Sequence, residues 1–346
     1  MAFFLTVGRA SAVAVLGVTL SATGAAAQEV TLTLHHFLSP KAPAHTEMLE
    51  PWAKAIEEDS DGRIKIEIYP AMSLGGAPPQ LFRQVVDGVV DIVWTVNGYS
   101  PGLFPRSEVF ELPTVFTNDV VATNLAMAEM FDEWLAPEYD AVHVLFNHVH
   151  AGQALHTRET PARSPADTEG MKLRVPGPTG IAVVEALGAT PVTMPVPGLP
   201  QALSTGVVDG ALIPYEIIPP LQLQEVTDYQ INGPDDERFG TTTFQVSMNK
   251  DRWEALPDDL KDVFTRNSGP DWLRTVGEAW RRTDDQSIKM AVEAGNEHIV
   301  LTTDEMAAFN EALAPVVDAW IEEQEGFDAK ALVDKARETI AKHATQ

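Results

Sequence analysis

The sequence predicts an α/β fold built in two lobes, and three observations carry that prediction. Short apolar or alternating segments recur between segments of helical period, the order expected of sheets layered with helices. The pattern runs once through the first 140 or so residues and starts again near residue 142. From Asp258 onward it is helical, and it includes one stretch, Asp271 to His298, with no internal proline. At 45% hydrophobic residues in a chain of 346, there is apolar material for more than one core.

Taken in order, Val30-Thr-Leu-Thr-Leu34 alternates and reads as a first strand. Pro43 to Ser60 places Met48, Leu49, Trp52, Ala55 and Ile56 at helical spacing, closed by the turn signal Asp61-Gly62. Ile64-Lys-Ile-Glu-Ile-Tyr69 alternates strictly, as a strand with one buried face does. Pro79 to Val86 reads as a helix ending at Asp87-Gly88, and Val89 to Val96 as a buried third strand. Strand–helix–strand–helix–strand argues for a largely parallel sheet. The second unit opens with Val142-His-Val-Leu-Phe146, continues through Leu173-Arg174-Val175, and has a helix from Gly180 to Leu187 stopped by Gly188. A short helix, Gln201 to Thr205, precedes a turn at Val207-Val208, and Phe239 to Met248 reads as a strand returning to the first unit. Helices are expected over 258–268, 271–298, 304–324 and 329–342, with a break at Gly269-Pro270.

The N-terminus has the pattern of an export signal. Arg9 supplies the positive charge, Ala10 to Ala22 is small and apolar, and Ala25-Ala26-Ala27 forms an A-x-A cleavage site before Gln28. The apolar run is short for a membrane span and is interrupted by Ser11, Gly17, Thr19 and Ser21. Cysteine is absent, which excludes disulfides, thiolate chemistry and lipid attachment through an N-terminal cysteine. Loss of residues 1–27 removes one basic residue and no acidic one, leaving 23 against 50 and a net charge of −27. Such a surface repels nucleic acid and anionic lipid. It repels an anionic solute as well, so a site for one must supply its own positive charge.

Three ordered segments are more specific than any of these features. They are Gly170-Met-Lys-Leu-Arg174-Val-Pro176, then Gly188-Ala-Thr-Pro191-Val-Thr-Met194-Pro195, then Ala202-Leu-Ser-Thr-Gly206-Val-Val-Asp209-Gly210. Together they resemble the core signature of the solute-binding proteins of TRAP transporters, the tripartite ATP-independent periplasmic carriers of organic acids. Ser60-Asp-Gly-Arg-Ile-Lys-Ile66, Tyr69-Pro-Ala-Met-Ser-Leu-Gly-Gly76, Asp87-Gly-Val-Val-Asp-Ile92 and Glu111-Leu-Pro-Thr-Val-Phe116 extend the likeness over most of the chain. The resemblance implies a class II-like, Venus-flytrap periplasmic binding protein with a long lobe-spanning helix and C-terminal helices. Its parts would be a signal peptide (1–27), lobe I (28–149), lobe II (150–239), and a return strand with the spanning and terminal helices (240–346). It further implies a periplasmic receptor that captures a small organic acid, docks on a TRAP membrane permease, and has no nucleotide site, cofactor or catalytic group.

The same resemblance places Arg174 in the cleft as the grip on a ligand carboxylate. Its planar guanidinium matches a carboxylate bidentately and keeps its charge. Read alone, Lys-Leu-Arg is better taken as a strand-end arginine paired with an acidic neighbour. Two departures from the family pattern stand out. The asparagine that usually follows Asp-Gly falls at about Ile213, and the arginine of a Gly-x-Arg segment is missing from Gly152-Gln153-Ala154. Both remove polar grip on hydroxylated and dicarboxylate ligands, so the sequence points to a more apolar site. Trp94, Asn97 and Tyr99 fall where strand ends and their loops line an α/β cleft, with Tyr215 and Phe244 facing them. Such walls suit an aromatic or branched monocarboxylate, or a quaternary ammonium carboxylate. His36, His150 and Gln153 are expected to contribute hydrogen bonds. His35-His36, His148-x-His150 and His156 also raise a zinc-site reading and with it an exported metal-dependent enzyme, although their spacing matches no strong motif. A receptor for a signalling system is the third alternative.

Overall fold

The computed structural model describes Met1 and residues 29–344; the predicted leader and its cleavage point lie outside the described residues. The strands are β1 (Val30–His35), β2 (Ile64–Tyr69), β3 (Ile92–Val96), β4 (Val142–Val149), β5 (Ala154–Thr157), β6 (Lys172–Val175), β7 (Thr190–Thr193), β8 (Gly210–Ile213), β9 (Tyr229–Asn232), β10 (Thr243–Asn249) and β11 (Glu297–Val300). They form two sheets, ordered β2-β1-β3-β10-β4 and β11-β9-β5-β8-β6-β7. Each sheet is mixed rather than purely parallel. In the first, β10 runs antiparallel to both β3 and β4; in the second, β5 runs antiparallel to β8 and β9. These two strands lie at the chain crossings, which is why they oppose the parallel strands that βαβ connections generate.

The α-helices are α1 (Glu50–Asp59), α2 (Leu81–Val86), α3 (Val120–Met130), α4 (Pro178–Ala186), α5 (Leu199–Ser204), α6 (Ile218–Leu221), α7 (Lys250–Glu254), α8 (Asp258–Asn267), α9 (Pro270–Glu293), α10 (Thr303–Leu313), α11 (Pro315–Glu323) and α12 (Ala329–Ala344). The apolar stripe of α1 buries Trp52, Ala53 and Ile56, and Trp52 Nε1 donates to Ser268 Oγ at 3.1 Å, tying α1 to the start of the long helix. Helix α9 packs on α3 beside the first sheet and on the turn after β8 beside the second, so it spans both lobes. Its Gly277 lets the two helices approach closely, since a Cβ there would lie 2.7 Å from Val121 Cγ2. No helix among the described residues is long and apolar enough to cross a membrane.

Several elements differ from the sequence reading. Strand β4 belongs to the first sheet and does not open the second. The third strand starts at Ile92, with Val89 in an exposed turn, and the return strand starts at Thr243, with 239–242 forming the crossing. The long helix ends at Glu293 because Gly295 takes φ +105°, a left-handed stop; the chain then adds β11 to the second sheet. The helix expected over 304–324 is two, divided at Ala314-Pro315, where proline removes a backbone donor and crowds the preceding turn. Strands β5, β7, β8 and β9 and helix α3 had no clear signal, being four-residue strands and a helix whose apolar residues fall on no one face.

The two crossings are hydrogen-bonded to each other. Gln153 N–H donates to Gly240 O at 2.7 Å and Phe239 N–H donates to Gln153 O at 2.9 Å. With α9 they make three connections between the lobes, and the cleft lies over them.

Candidate ligand-binding site

Between the lobes is a cavity whose empty space, with the solvent at its mouth included, is about 530 Å³. The first lobe contributes Phe37, Leu38, Trp94, Val96 and Tyr99; the second contributes Arg174, Pro176, Val196, Leu212, Ile213, Glu216 and Ile217. The crossings supply His150, Gln153 and Thr242, β10 supplies Phe244, and α9 supplies Trp280. Most of these positions sit at strand ends, where backbone groups leave the ladder and side chains can face a ligand.

Arg174 projects from β6 and is 3% exposed. Its Nε donates to Met194 O at 2.9 Å and Nη2 to the Tyr99 hydroxyl at 3.4 Å. Among the described residues no carboxylate forms an ion pair with it. Burial pulls its pKa below the ordinary arginine value, partly offset by Tyr99, yet an arginine remains charged in this setting. The fork is therefore aimed and held by neutral acceptors while its charge is left uncompensated.

Tyr99 ends the single helical turn that follows β3. Its oxygen accepts from Arg174 and, at 2.9 Å, from Val196 N–H of the other lobe. Having accepted twice, the hydroxyl keeps its own proton for an acceptor in the cavity. Burial raises its pKa, so that proton stays in place. His150 is prepared in a similar way. Its Nδ1 accepts from Gly152 N–H at 3.0 Å, which puts the ring proton on Nε2, the nitrogen left to a ligand. Burial, then His148, Arg238 and Arg174, hold the ring neutral. Gln153 uses its amide NH₂ on Thr241 O and Thr242 Oγ1, leaving its carbonyl oxygen.

The apolar side is a stack of rings. Trp94 lies between Phe37 (centroids 4.8 Å apart, planes at 7°) and Phe244 (5.2 Å, 4°). Its indole N–H donates to His148 Nε2 at 2.9 Å, and His148 Nδ1 donates to Val149 O, so the tryptophan plane is fixed by hydrogen bonds as well as by packing. Burial lowers the His148 pKa to about 4, which preserves the neutral acceptor.

Six of the nine residues singled out from sequence thus line one cavity: Arg174, Trp94, Tyr99, His150, Gln153 and Phe244. The other three do not. Tyr215 turns into lobe II, where its hydroxyl donates to Asn232 Oδ1 at 2.6 Å and Arg238 sits 4.6 Å from its ring centroid. Asn97 lies behind the aromatic wall, bonded to Tyr139, Thr243 and Gln245. His36 binds His45 Nδ1 at 2.9 Å, and that ring in turn meets Glu50. Among the described residues no three His, Asp or Glu side chains are grouped as a metal site requires.

A family profile for bacterial extracellular solute-binding proteins, family 7 (DctP), matches residues 34–324. The chain belongs to that family. It is a TRAP solute-binding protein of the DctP type. A TRAP solute-binding protein from a marine metagenome, described as specific for aromatic acid ligands and solved with 3-hydroxybenzoate, superposes with a TM-score of 0.88 at 39% identity. That match covers 91% of this chain and 99% of the other. A TRAP solute-binding protein from Rhodoferax ferrireducens, solved with copurified benzoate, superposes at 0.89 with 38% identity over the same shares. The ectoine/5-hydroxyectoine-binding periplasmic protein of Ruegeria pomeroyi is 27% identical over 316 residues, 90% of this chain and 91% of its own.

Sequence reasoning missed several wall residues. Phe37 and Leu38 follow the histidine pair directly, and Val196 and Ile217 lie in loops with no periodic signal. Glu216 did carry one: it is the lone charge in Ala211-Leu-Ile-Pro-Tyr-Glu-Ile-Ile218. Ile213, at the family's usual asparagine position, faces the cavity as an apolar group.

Proposed function

We propose that this chain is a periplasmic receptor for an aromatic monocarboxylate. Arg174 and the Tyr99 hydroxyl take the carboxylate, and the Phe37–Trp94–Phe244 wall takes the ring. The observation that carries the reading is the buried, aimed and unpaired Arg174 guanidinium. A buried charge without a counter-ion is costly, and a ligand carboxylate removes that cost while forming two charge-assisted bonds. The apolar Ile213 and the missing second arginine leave nothing comparable for a second carboxylate. The solved relatives that hold benzoate and 3-hydroxybenzoate support the same ligand class.

Closing the lobes around the acid excludes water and strengthens the ion pair, and the ligand's preference for the closed state supplies the free energy of closure. The closed receptor then delivers its cargo to a TRAP permease after export and removal of the leader at Ala27. The test is calorimetric titration of the mature protein, stripped of ligand by unfolding and refolding, with benzoate, succinate and galactonate. Benzoate is expected to bind and the other two to fail; binding of succinate or galactonate with no response to benzoate would overturn the assignment.

A further inference from the structure

Glu216 has no part in gripping a carboxylate, yet it faces the ligand cavity. It follows β8 and Pro214 on the turn Tyr215–Ile217 and is 6% exposed; its Oε2 is fully buried, and its carboxyl meets that of Asp284 on α9. Its backbone N–H donates to Asp284 Oδ1 of α9 at 2.9 Å, and Asp284 Oδ2 lies 3.0 Å from Arg238 Nη1. Arg238 also reaches Asp236 through Nη2. Arg238 therefore compensates Asp284, and among the described residues no cation lies within ion-pair distance of Glu216. An ionised Glu216 would sit without a counter-ion beside Asp284 and in the same cavity as an anionic ligand, which electrostatics disfavours twice. Burial, then Asp284, accordingly hold its pKa well above the ordinary carboxylate value. The neutral carboxyl shares its proton with Asp284, and its other oxygen, bonded to no described residue, is left as an acceptor toward the cavity.

We propose that Glu216 reads a hydroxyl substituent on the ligand's ring, making the receptor selective for hydroxylated aromatic monocarboxylates over unsubstituted ones. The proposal rests on the aromatic-acid reading above. A ring hydroxyl donates to that Glu216 oxygen; a second carboxylate cannot, because it has no proton to give and would restore the repulsion. A site built to bond a hydroxyl discriminates strongly against the analogue that lacks it, since its own polar group is then left unpaired.

The experiment is titration of the stripped protein with benzoate and with 2-, 3- and 4-hydroxybenzoate, for the parent, Glu216→Gln and Glu216→Leu. The parent should bind one of the hydroxybenzoates at least fivefold tighter than benzoate. Glu216→Gln stays neutral and hydrogen-bonding, so it should keep that ratio within about threefold. Glu216→Leu should bring the ratio to one or below while still binding benzoate, which also certifies its fold. A purely structural partner of Asp284 would lower all affinities together and leave the ratio alone. Loss of the preference in Glu216→Gln, or its survival in Glu216→Leu, would overturn the proposal. If the parent binds benzoate and the hydroxybenzoates equally, Glu216 selectivity fails and the aromatic-acid receptor stands; if it binds none, both fall.

Discussion

The hydroxyl of Tyr99 and the backbone N–H of Val196 meet at 2.9 Å across the cleft, and the same oxygen accepts from Arg174. One side chain of the first lobe thus holds the second lobe at two points while still offering its proton to the cavity. Tyr99→Phe removes all three bonds without disturbing the ring contact with Phe37 at 5.4 Å. At about 0.5–1.5 kcal/mol for each hydrogen bond, benzoate affinity should fall by about ten- to a thousandfold, while the thermal stability of the ligand-free protein changes little. Calorimetry and melting curves on one preparation check both halves, and unchanged affinity would show that the latch is not used in the bound state.

Arg174→Ala should separate affinity from stability in the other direction. Losing the charged bonds costs about 1.5–3 kcal/mol or more of ligand binding. The ligand-free protein loses a buried, uncompensated cation, so its melting temperature should hold or rise. Arg174→Lys should recover only part of the affinity, because an ammonium cannot reproduce the fork that also holds Met194 O. A variant that melts much earlier without ligand would mean that Arg174 is a structural residue.

Closure has a steric requirement that ligand chemistry does not reveal. Gly177 and Gly98 touch across the cleft: a Cβ on Gly177 would lie 2.7 Å from Gly98 Cα and 2.8 Å from its carbonyl oxygen. The backbone of Gly177 is extended (φ −168°), so alanine is free of strain there and only the partner lobe objects. Gly177→Ala should therefore leave the open form intact and oppose the closed one. Small-angle scattering should show a smaller compaction on adding saturating benzoate, together with weaker binding. Full compaction would place the lobes farther apart in solution than in the structure.

These relationships also explain how far the sequence could be read. The place of Arg174 in the cleft came from the family resemblance of the three segments, since Lys-Leu-Arg alone reads as a strand-end arginine with an acidic partner, and the structure gives it no such partner among the described residues. Trp94, Tyr99 and Phe244 followed from the position of strand ends. Tyr215 misled for a physical reason: strand and turn geometry decide which neighbour faces the cleft, and here Ile213 and Glu216 face it while Tyr215 turns inward to Asn232. Asn97 and His36 were drawn into polar networks with partners up to 148 residues away, such as Gln245, which local pattern does not register. The short strands of lobe II carry too few residues for a period-two signal; only their pairing defines them.

The buried titratable groups set opposing demands on pH. His36 and His156 have pKa values lowered to about 3, and His143 and His148 to about 4, with burial the main cause; His150 is lowered well below the ordinary value as well. Below the ordinary histidine value near 6.5 the unfolded chain takes up protons that the folded chain refuses, so these groups cost stability as pH falls. The carboxyls act with the opposite sign. Burial raises Glu108 to about 8, Glu111 and Glu138 to about 7 and Asp284 to about 6, with Glu216 raised as well. Their contribution is full below the ordinary carboxylate range and is lost as pH rises through the folded values. Between roughly pH 4.5 and 6.5 the two sets oppose each other and stability should be nearly flat. Above that window the carboxyls act alone and stability should decline toward pH 8; below it the histidines act alone and stability should decline again. Glu108→Gln should flatten the alkaline limb, since the amide keeps a neutral group beside Trp320 without a proton to lose. Melting temperatures measured from pH 4 to 9 test this directly, and a steady rise from pH 6 to pH 8 would show that the buried carboxyls are ionised in the native protein.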